Sequence, residues 1–286
     1  MKSLAPLSLP SGGLAMVAVD QREALRGMYA AKRSGAIGDE VLTDFKVAVA
    51  EKLSDLASGL LVDLDFGLQQ IVDRKVLAPG CGLIAAQDLL IGPAGGAATD
   101  TAIDERVDAA EMKRLGAVAL KLLILYRSDE SPAVRGEMAK RFIDGAKENG
   151  LISLVEIIVK PPRDGGAFDR EVEIVNAAKE ASEWGMDLYK AEVPYGGKAN
   201  DGEMKKAYEA MHDAIGIPWV VLSNGVAKED FERAVSLACE SGARGFLAGR
   251  AVWADVVGDE DERASLTSIS RPRLQRLIDA VNDNLI

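Results

Sequence analysis

The sequence predicts a single (β/α)8 barrel spanning residues 1–286, and three observations carry that expectation. Eight short apolar runs recur along the chain, most of them too apolar to face water on either side, as the strands of a parallel sheet covered on both faces must be. The segments between them are mostly long enough for a helix, and four of them close on glycine, a usual C-terminal stop. With 286 residues and 48% hydrophobic content the chain can bury one large core, and about 250 residues is the usual size of such a barrel.

Taken in order, strand one is expected at LAMVAVD (14–20), an apolar run that ends in an acid. VLTDFKVAVAEKLSDLA (41–57) then shows helical periodicity. Strands two to eight follow at GLLVDLD (59–65), CGLIAAQ (81–87), VALKLLIL (118–125), ISLVEIIV (152–159), DLYKAEV (187–193), PWVVLSN (218–224) and GFLAGR (245–250). The glycine-terminated helices are expected within 105–116, 131–150, 169–185 and 228–242. An open doubly wound sheet is the alternative fold, but no GxGxxG follows the first strand. GPAGG (92–96) lacks the strand–turn–helix setting of a nucleotide loop and reads as a flexible connection, and the acidic DEDER (259–263) reads as a solvated helix start.

Composition excludes several classes of function. Lys and Arg total 34 against 45 Asp and Glu, a net charge of −11, which disfavours nucleic acid and anionic membranes as partners. An anionic substrate must therefore meet basic groups concentrated locally. Cys81 and Cys239 are far apart with no CxxC spacing, as in a reduced, intracellular protein. The N-terminus is interrupted by Pro6 and Pro10, no run of about 18 apolar residues exists, and a cytoplasmic location is expected. A single histidine, His212, cannot build a multi-histidine zinc site, so neither metal nor other cofactor is expected.

In a barrel of this kind the site lies at the C-terminal ends of the strands. The polar residues found there are Asp20, Gln21 and Arg22 after strand one, Asp63 on strand two, Lys121 and Arg127 on and beyond strand four, Glu156 on strand five, Lys190 on strand six, Ser223 on strand seven, and Gly249 and Arg250 on strand eight. Lys190 stands in DLYKAEVP (187–194), where alternation puts Leu188, Lys190 and Glu192 on one face and Tyr189, Ala191 and Val193 on the other. Burial disfavours the charged form of a lysine, and a neutral amine is what attacks a carbonyl. Lys121 and Lys190 lie on alternate strands, so each cation is expected to ease deprotonation of the other, with Glu156 between them to shuttle protons. Iminium chemistry on a ketone follows. LSNGV (222–226) and AGRAVW (248–253) offer glycine-flanked backbone donors at the two strand ends where barrels commonly bind phosphate.

These residues carry a resemblance that runs over almost the whole chain. AVDQREALRGM, VLTDFKV, LKLLILYRSDE, PPR followed by FDRE, DLYKAEVP, VVLSNGV and GFLAGRAVWADVVG resemble the class I aldolases that cleave 6-deoxy-6-sulfofructose 1-phosphate. The related tagatose-bisphosphate aldolases share the AxDQR, LK, KxEVP and CGRATWA-like features, but usually carry longer insertions after strand five and lack the RSDE and PPR segments. The resemblance implies that Lys190 is the Schiff-base lysine, Glu156 the proton-transfer acid/base, and Lys121 and Asp20 the groups that position and polarise the substrate. Ser223, Gly225, Gly249 and Arg250 are then expected to hold the phosphate of the dihydroxyacetone phosphate half, with Asp63 among the substrate-binding residues. Gln21, with Arg22 or Arg127 as the cation, is expected to receive the distal group opposite those phosphate loops. The expected partners are a small-molecule ketose phosphate and further copies of the chain. The chain departs from the family pattern in YGGKAN (195–200) and at its termini. The alternatives are a tagatose/fructose 1,6-bisphosphate aldolase, a transaldolase-like enzyme using the same amine, and a non-catalytic barrel that binds sugar phosphate and regulates a partner.

Overall fold

The structure, a computed structural model, describes residues 1–93 and 98–285. Its strands in chain order are β1 (Leu14–Ala18), β2 (Gly59–Val62), β3 (Gly82–Ala86), β4 (Asp88–Ile91), β5 (Asp100–Ile103), β6 (Ala117–Tyr126), β7 (Ile152–Val159), β8 (Leu188–Ala191), β9 (Trp219–Val221) and β10 (Gly245–Ala248). Eight of them close into a barrel in the order β1-β10-β9-β8-β7-β6-β3-β2, every neighbour parallel. These are the eight apolar runs of the sequence.

The helices are α1 (Glu23–Ala30), α2 (Asp39–Leu53), α3 (Leu68–Arg74), α4 (Ala109–Arg114), α5 (Pro132–Glu148), α6 (Arg170–Ser182), α7 (Asp201–Ile215), α8 (Lys228–Glu240), α9 (Arg250–Trp253), α10 (Glu262–Ser265) and α11 (Arg271–Asn284). Side chains cap several starts: Asp169 accepts from Glu171 N and Val172 N, and Asn200 and Glu203 form a capping box on α7. The DEDER segment also opens a helix, with Asp261 accepting from Ala264 N.

Period-two alternation sorts the apolar residues into two layers. Met16, Ala18, Leu61, Ile84, Ala119, Leu154, Leu188, Val220 and Leu247 fill the barrel, with Leu7 of the N-terminal segment plugging its base. Tyr189, Ala191 and Val193 turn outward into the layer between sheet and helices, while Leu188 turns in, as alternation in that strand requires.

One element has no counterpart in the sequence reading. β4 and β5 form an antiparallel hairpin between the third and fourth barrel strands. Its first arm exposes Leu89 (39%), Leu90 (39%) and Ile91 (44%), so it lacks the in–out alternation that marks a half-buried strand. Of the GPAGG segment, Gly92 and Pro93 follow this arm, and the rest lies outside the described residues.

Candidate active site

A cavity of about 490 Å³ opens at the C-terminal ends of the barrel strands. Glu156 is in register with Lys190 on the adjacent strand, so both side chains project inward at one level. Lys190 Nζ donates to Glu156 Oε2 at 3.0 Å, and Lys121 Nζ lies 2.8 Å from the same oxygen. Lys121 also contacts Asp88 Oδ1 at 2.9 Å and Asp20 Oδ2 at 3.2 Å. Two lysines thus face three carboxylates, all shielded from bulk water.

The charge balance assigns unlike properties to these groups. Burial by itself pulls Lys121 down, but Asp88, Glu156 and Asp20 outweigh it and hold the ammonium well above the usual lysine value. The expectation that the two lysines ease each other's deprotonation therefore does not apply to Lys121: three anions within 3.2 Å overcome both burial and the neighbouring cation. Burial raises Asp20 and Glu156, yet Lys121 and Lys190 reverse the effect, leaving Asp20 at about 2 and Glu156 below the usual carboxylate range. Lys121 is thus a fixed cation that keeps two acids ionised.

Asp20 is held from behind. Lys46 on α2, fully buried, donates to Val19 O and Gln21 O, each at 2.8 Å, and to Asp63 Oδ2. Its three protons are used on the two carbonyls that flank Asp20 and on one carboxylate. Burial pulls Lys46 below the usual lysine value, with Asp63 opposing. Asp63, expected to bind substrate, does not line the cavity; it is fully buried and also accepts from Phe66 N at 2.9 Å.

The remaining expected residues divide. Gln21 and Arg22 line the cavity, and Gln21 Oε1 and Arg22 Nε are buried without a hydrogen-bond partner among the described residues. Arg22 donates to Asp88 O at 2.9 Å and lies within 4.0 Å of carboxylate oxygens of Asp63, Asp65 and Asp88. Arg127 does not line the cavity, because β6 ends at Tyr126 and the guanidinium turns aside to Thr99 O (2.9 Å) and Glu130 (3.2 Å). Ser223, Gly249 and Arg250 line the cavity on the β9–β10 side, where Arg250 donates to Asn224 Oδ1. Gly225, with φ +78°, borders a neighbouring recess shared with Ser223 and Arg250. A side chain at Gly249 would begin 2.7 Å from Ala18 O and 3.0 Å from Gln21 Nε2, so the strand end must be glycine. Gln21 accordingly stands beside the loops expected to bind phosphate and not opposite them, since closure makes β1 the neighbour of β10.

Among the residues that the sequence reading passes over are Lys46, which stands behind the site, and Asp88 and Lys160, which line it. Asp88 and Lys160 sit just beyond apolar runs but keep the inward parity of Ile84 and Ala86, and of Glu156 and Ile158. Continuing the alternation one residue past each run finds both. Lys46 shows no such signal, because a lysine in an amphipathic helix is ordinarily solvated. His212 accepts from Trp219 Nε1 at 3.0 Å, and burial pushes the Cys81 and Cys239 thiols up to about 12; none of the three lines the cavity.

The closed parallel barrel and the charges gathered at its C-terminal mouth define a barrel enzyme. The DeoC/LacD family aldolase model matches residues 14–255, which include all eight barrel strands, and the chain belongs to that family. It is thereby an aldolase, a carbon–carbon lyase of carbohydrate metabolism. The chain is 28% identical over 274 residues to the tagatose 1,6-diphosphate aldolase of Listeria monocytogenes, covering 87% of this chain and 80% of that one. It is 27% identical over 313 aligned positions to tagatose 1,6-diphosphate aldolase 2 of Streptococcus agalactiae, covering 96% and 93%. Among solved structures, an archaeal fructose 1,6-bisphosphate aldolase superposes with a TM-score of 0.66 at 16% identity, covering 98% of each chain. A fructose-bisphosphate aldolase from Slackia heliotrinireducens also superposes at 0.66, at 18% identity, covering 98% of this chain and 88% of that one. Among the described residues no helix is long and apolar enough to cross a membrane.

Proposed function

We propose that this aldolase works through an iminium on Lys190 and that its preferred substrate is 6-deoxy-6-sulfofructose 1-phosphate, cleaved to dihydroxyacetone phosphate and 3-sulfolactaldehyde. The observation that carries the iminium is the single Glu156 oxygen shared by Lys190 and Lys121. Lys190 passes a proton to Glu156, the free amine adds to the C2 ketone, and water leaves as the iminium forms. Glu156 returns its proton to the departing water and then takes the C4 hydroxyl proton as the C3–C4 bond breaks; the bond electrons flow into the iminium, the aldehyde departs, and Glu156 passes that proton to C3 of the enamine. Water then hydrolyses the new iminium, returning the Lys190 amine and releasing dihydroxyacetone phosphate. Lys121 stays charged throughout and stabilises the negative charge that develops near Asp20 and Glu156.

The choice of sulfonate rests on the resemblance around LYRSDE and AVDQR and on the charge at the mouth. A sulfonate is a permanent monoanion, whereas a phosphate monoester carries about −1.5 to −2 at pH 7. Arg22 is already neutralised by the acids around it, so it offers no surplus charge to a dianionic phosphate. The names of the sequence relatives support a second reading, a tagatose or fructose 1,6-bisphosphate aldolase.

The two parts are tested separately. Borohydride reduction with dihydroxyacetone phosphate should attach one reduced triose phosphate to Lys190, and activity should survive excess EDTA. An unmodified Lys190 sinks the iminium. Comparing kcat/KM for the sulfonate with those for the two bisphosphates tests the substrate, and equal cleavage of either bisphosphate removes the sulfonate preference while leaving the iminium intact.

A further inference from the structure

The closed strand order gives the cavity two unlike walls. Ser223 and Arg250 stand at the ends of β9 and β10, and half-way round the ring from them lie β6 and β3. Beyond Lys121 and Asp88 that far wall is apolar, formed by Leu123 and Leu125 of β6 and by Leu89, Leu90 and Ile91 of the hairpin arm. A ketose phosphate held by its C1 end at β9–β10, with C2 at Lys190 of β8, extends its other end toward this wall.

Five cations line the cavity, and their partners separate them: Arg22, Lys121, Lys160, Lys190 and Arg250. Arg22, Lys121 and Lys190 each lie within 4.0 Å of a carboxylate oxygen. Arg250 bonds to the neutral amide of Asn224. Lys160 has neither an ion pair nor a side-chain hydrogen bond among the described residues. Its backbone N donates to Tyr126 O at 2.8 Å, which keeps the chain beside β6 for one residue past the end of β7. Ile152, Leu154, Glu156 and Ile158 face the interior, so Lys160 falls on the same side, at the rim above the proton carrier.

The two cavity cations without a carboxylate therefore stand on β10 and β7, three strands apart, or about 14 Å around the wall at ~4.8 Å per strand. A substrate with an anion at each end needs one cation at each end, and among the described residues these are the two cavity cations without a carboxylate partner. We propose that Lys160 binds the distal anionic group of the substrate, sulfonate or phosphate, against the apolar β6–hairpin wall; the proposal rests on the aldolase reading above. It replaces Arg22 and Arg127 as the distal cation. A mobile ammonium at a partly solvated rim accepts either anion, so Lys160 defines where the distal charge goes and Arg250 where the C1 phosphate goes.

The test uses non-cleavable ligands: glucitol 1-phosphate, glucitol 1,6-bisphosphate and the 6-deoxy-6-sulfo counterpart of the latter, titrated calorimetrically into the wild type, Lys160→Met and Lys160→Arg. In the wild type the distal anion should tighten binding by roughly ten- to a hundredfold, the range of one charged hydrogen bond. Lys160→Met should erase that gain, and Lys160→Arg should keep most of it. Comparing the phosphate and sulfonate arms shows which anion the site prefers. The assignment is overturned if the wild type gains nothing from the distal anion, if Lys160→Met keeps the gain, or if it weakens glucitol 1-phosphate by the same factor. Borohydride trapping at Lys190 in the wild type is read separately: its failure counts against the iminium and leaves the Lys160 result standing.

Discussion

Replacing Lys46 by methionine keeps most of the side-chain volume and removes one ammonium that makes three hydrogen bonds in a fully buried position. The Asp63 carboxylate is then left buried with the Phe66 N–H as its remaining short donor, and breaking a buried pair in this way costs about 3–5 kcal/mol. Val19 O and Gln21 O also lose a donor, which moves the estimate toward the upper end of that range. Against a typical total stability of about 5–15 kcal/mol this is a large fraction, readable as a lower urea midpoint at unchanged m. Adding Asp63→Leu removes the orphan charge, and the double variant should recover most of the lost stability, because an apolar pair of similar volume is often neutral or better. Its turnover should not recover. The two carbonyls flank Asp20, which lies 3.2 Å from Lys121, and a shift of 1 Å in a positioned group can cost up to ~10²-fold in rate. Two results refute this reasoning: a loss below about 1 kcal/mol in Lys46→Met, or a double variant that regains wild-type turnover along with its stability.

Glu156→Gln should lower kcat by ~10²–10⁴-fold with a smaller change in KM, since the amide keeps the shape but carries no exchangeable charge between the two lysines; wild-type turnover would hand the proton to another acid. Arg250→Ala should weaken binding of every ligand with a C1 phosphate by roughly tenfold to more than a hundredfold, and unchanged affinity for dihydroxyacetone phosphate moves the anion site elsewhere. Asp20 and Glu156 both have folded pKa values below their unfolded ones, so their contribution to stability is fully present above about pH 5 and is lost as pH falls through the folded values, for Asp20 near pH 2. Acid unfolding curves should therefore steepen between about pH 4 and 2 in the wild type and flatten in Asp20→Asn; an unchanged slope excludes Asp20 as a contributor.

Period-two alternation in runs too apolar for water is a local property, and it sufficed to read the eight barrel strands and the inward direction of Lys121, Glu156 and Lys190 from the chain alone. The same rule applied one residue further reaches Asp88 and Lys160, which follow directly on the runs 81–87 and 152–159. Alternation says which way a side chain points, but not what it meets. Asp20 and Lys121 are 101 positions apart and come within 3.2 Å only because the ring closes, and the same closure sets β1 beside β10 and moves Gln21 to the β10 side. Arg127 and Asp63 carry the right residue types at strand ends, yet Glu130 and Lys46 take them out of the cavity. The state of each buried charge depends on the sum of desolvation and all nearby charges, a quantity fixed by three-dimensional distances. The chain thus determined by itself which groups could do chemistry; the packed barrel decided that Lys121 remains a cation, that Lys46 holds Asp20 in place, and that Lys160 has no carboxylate partner among the described residues.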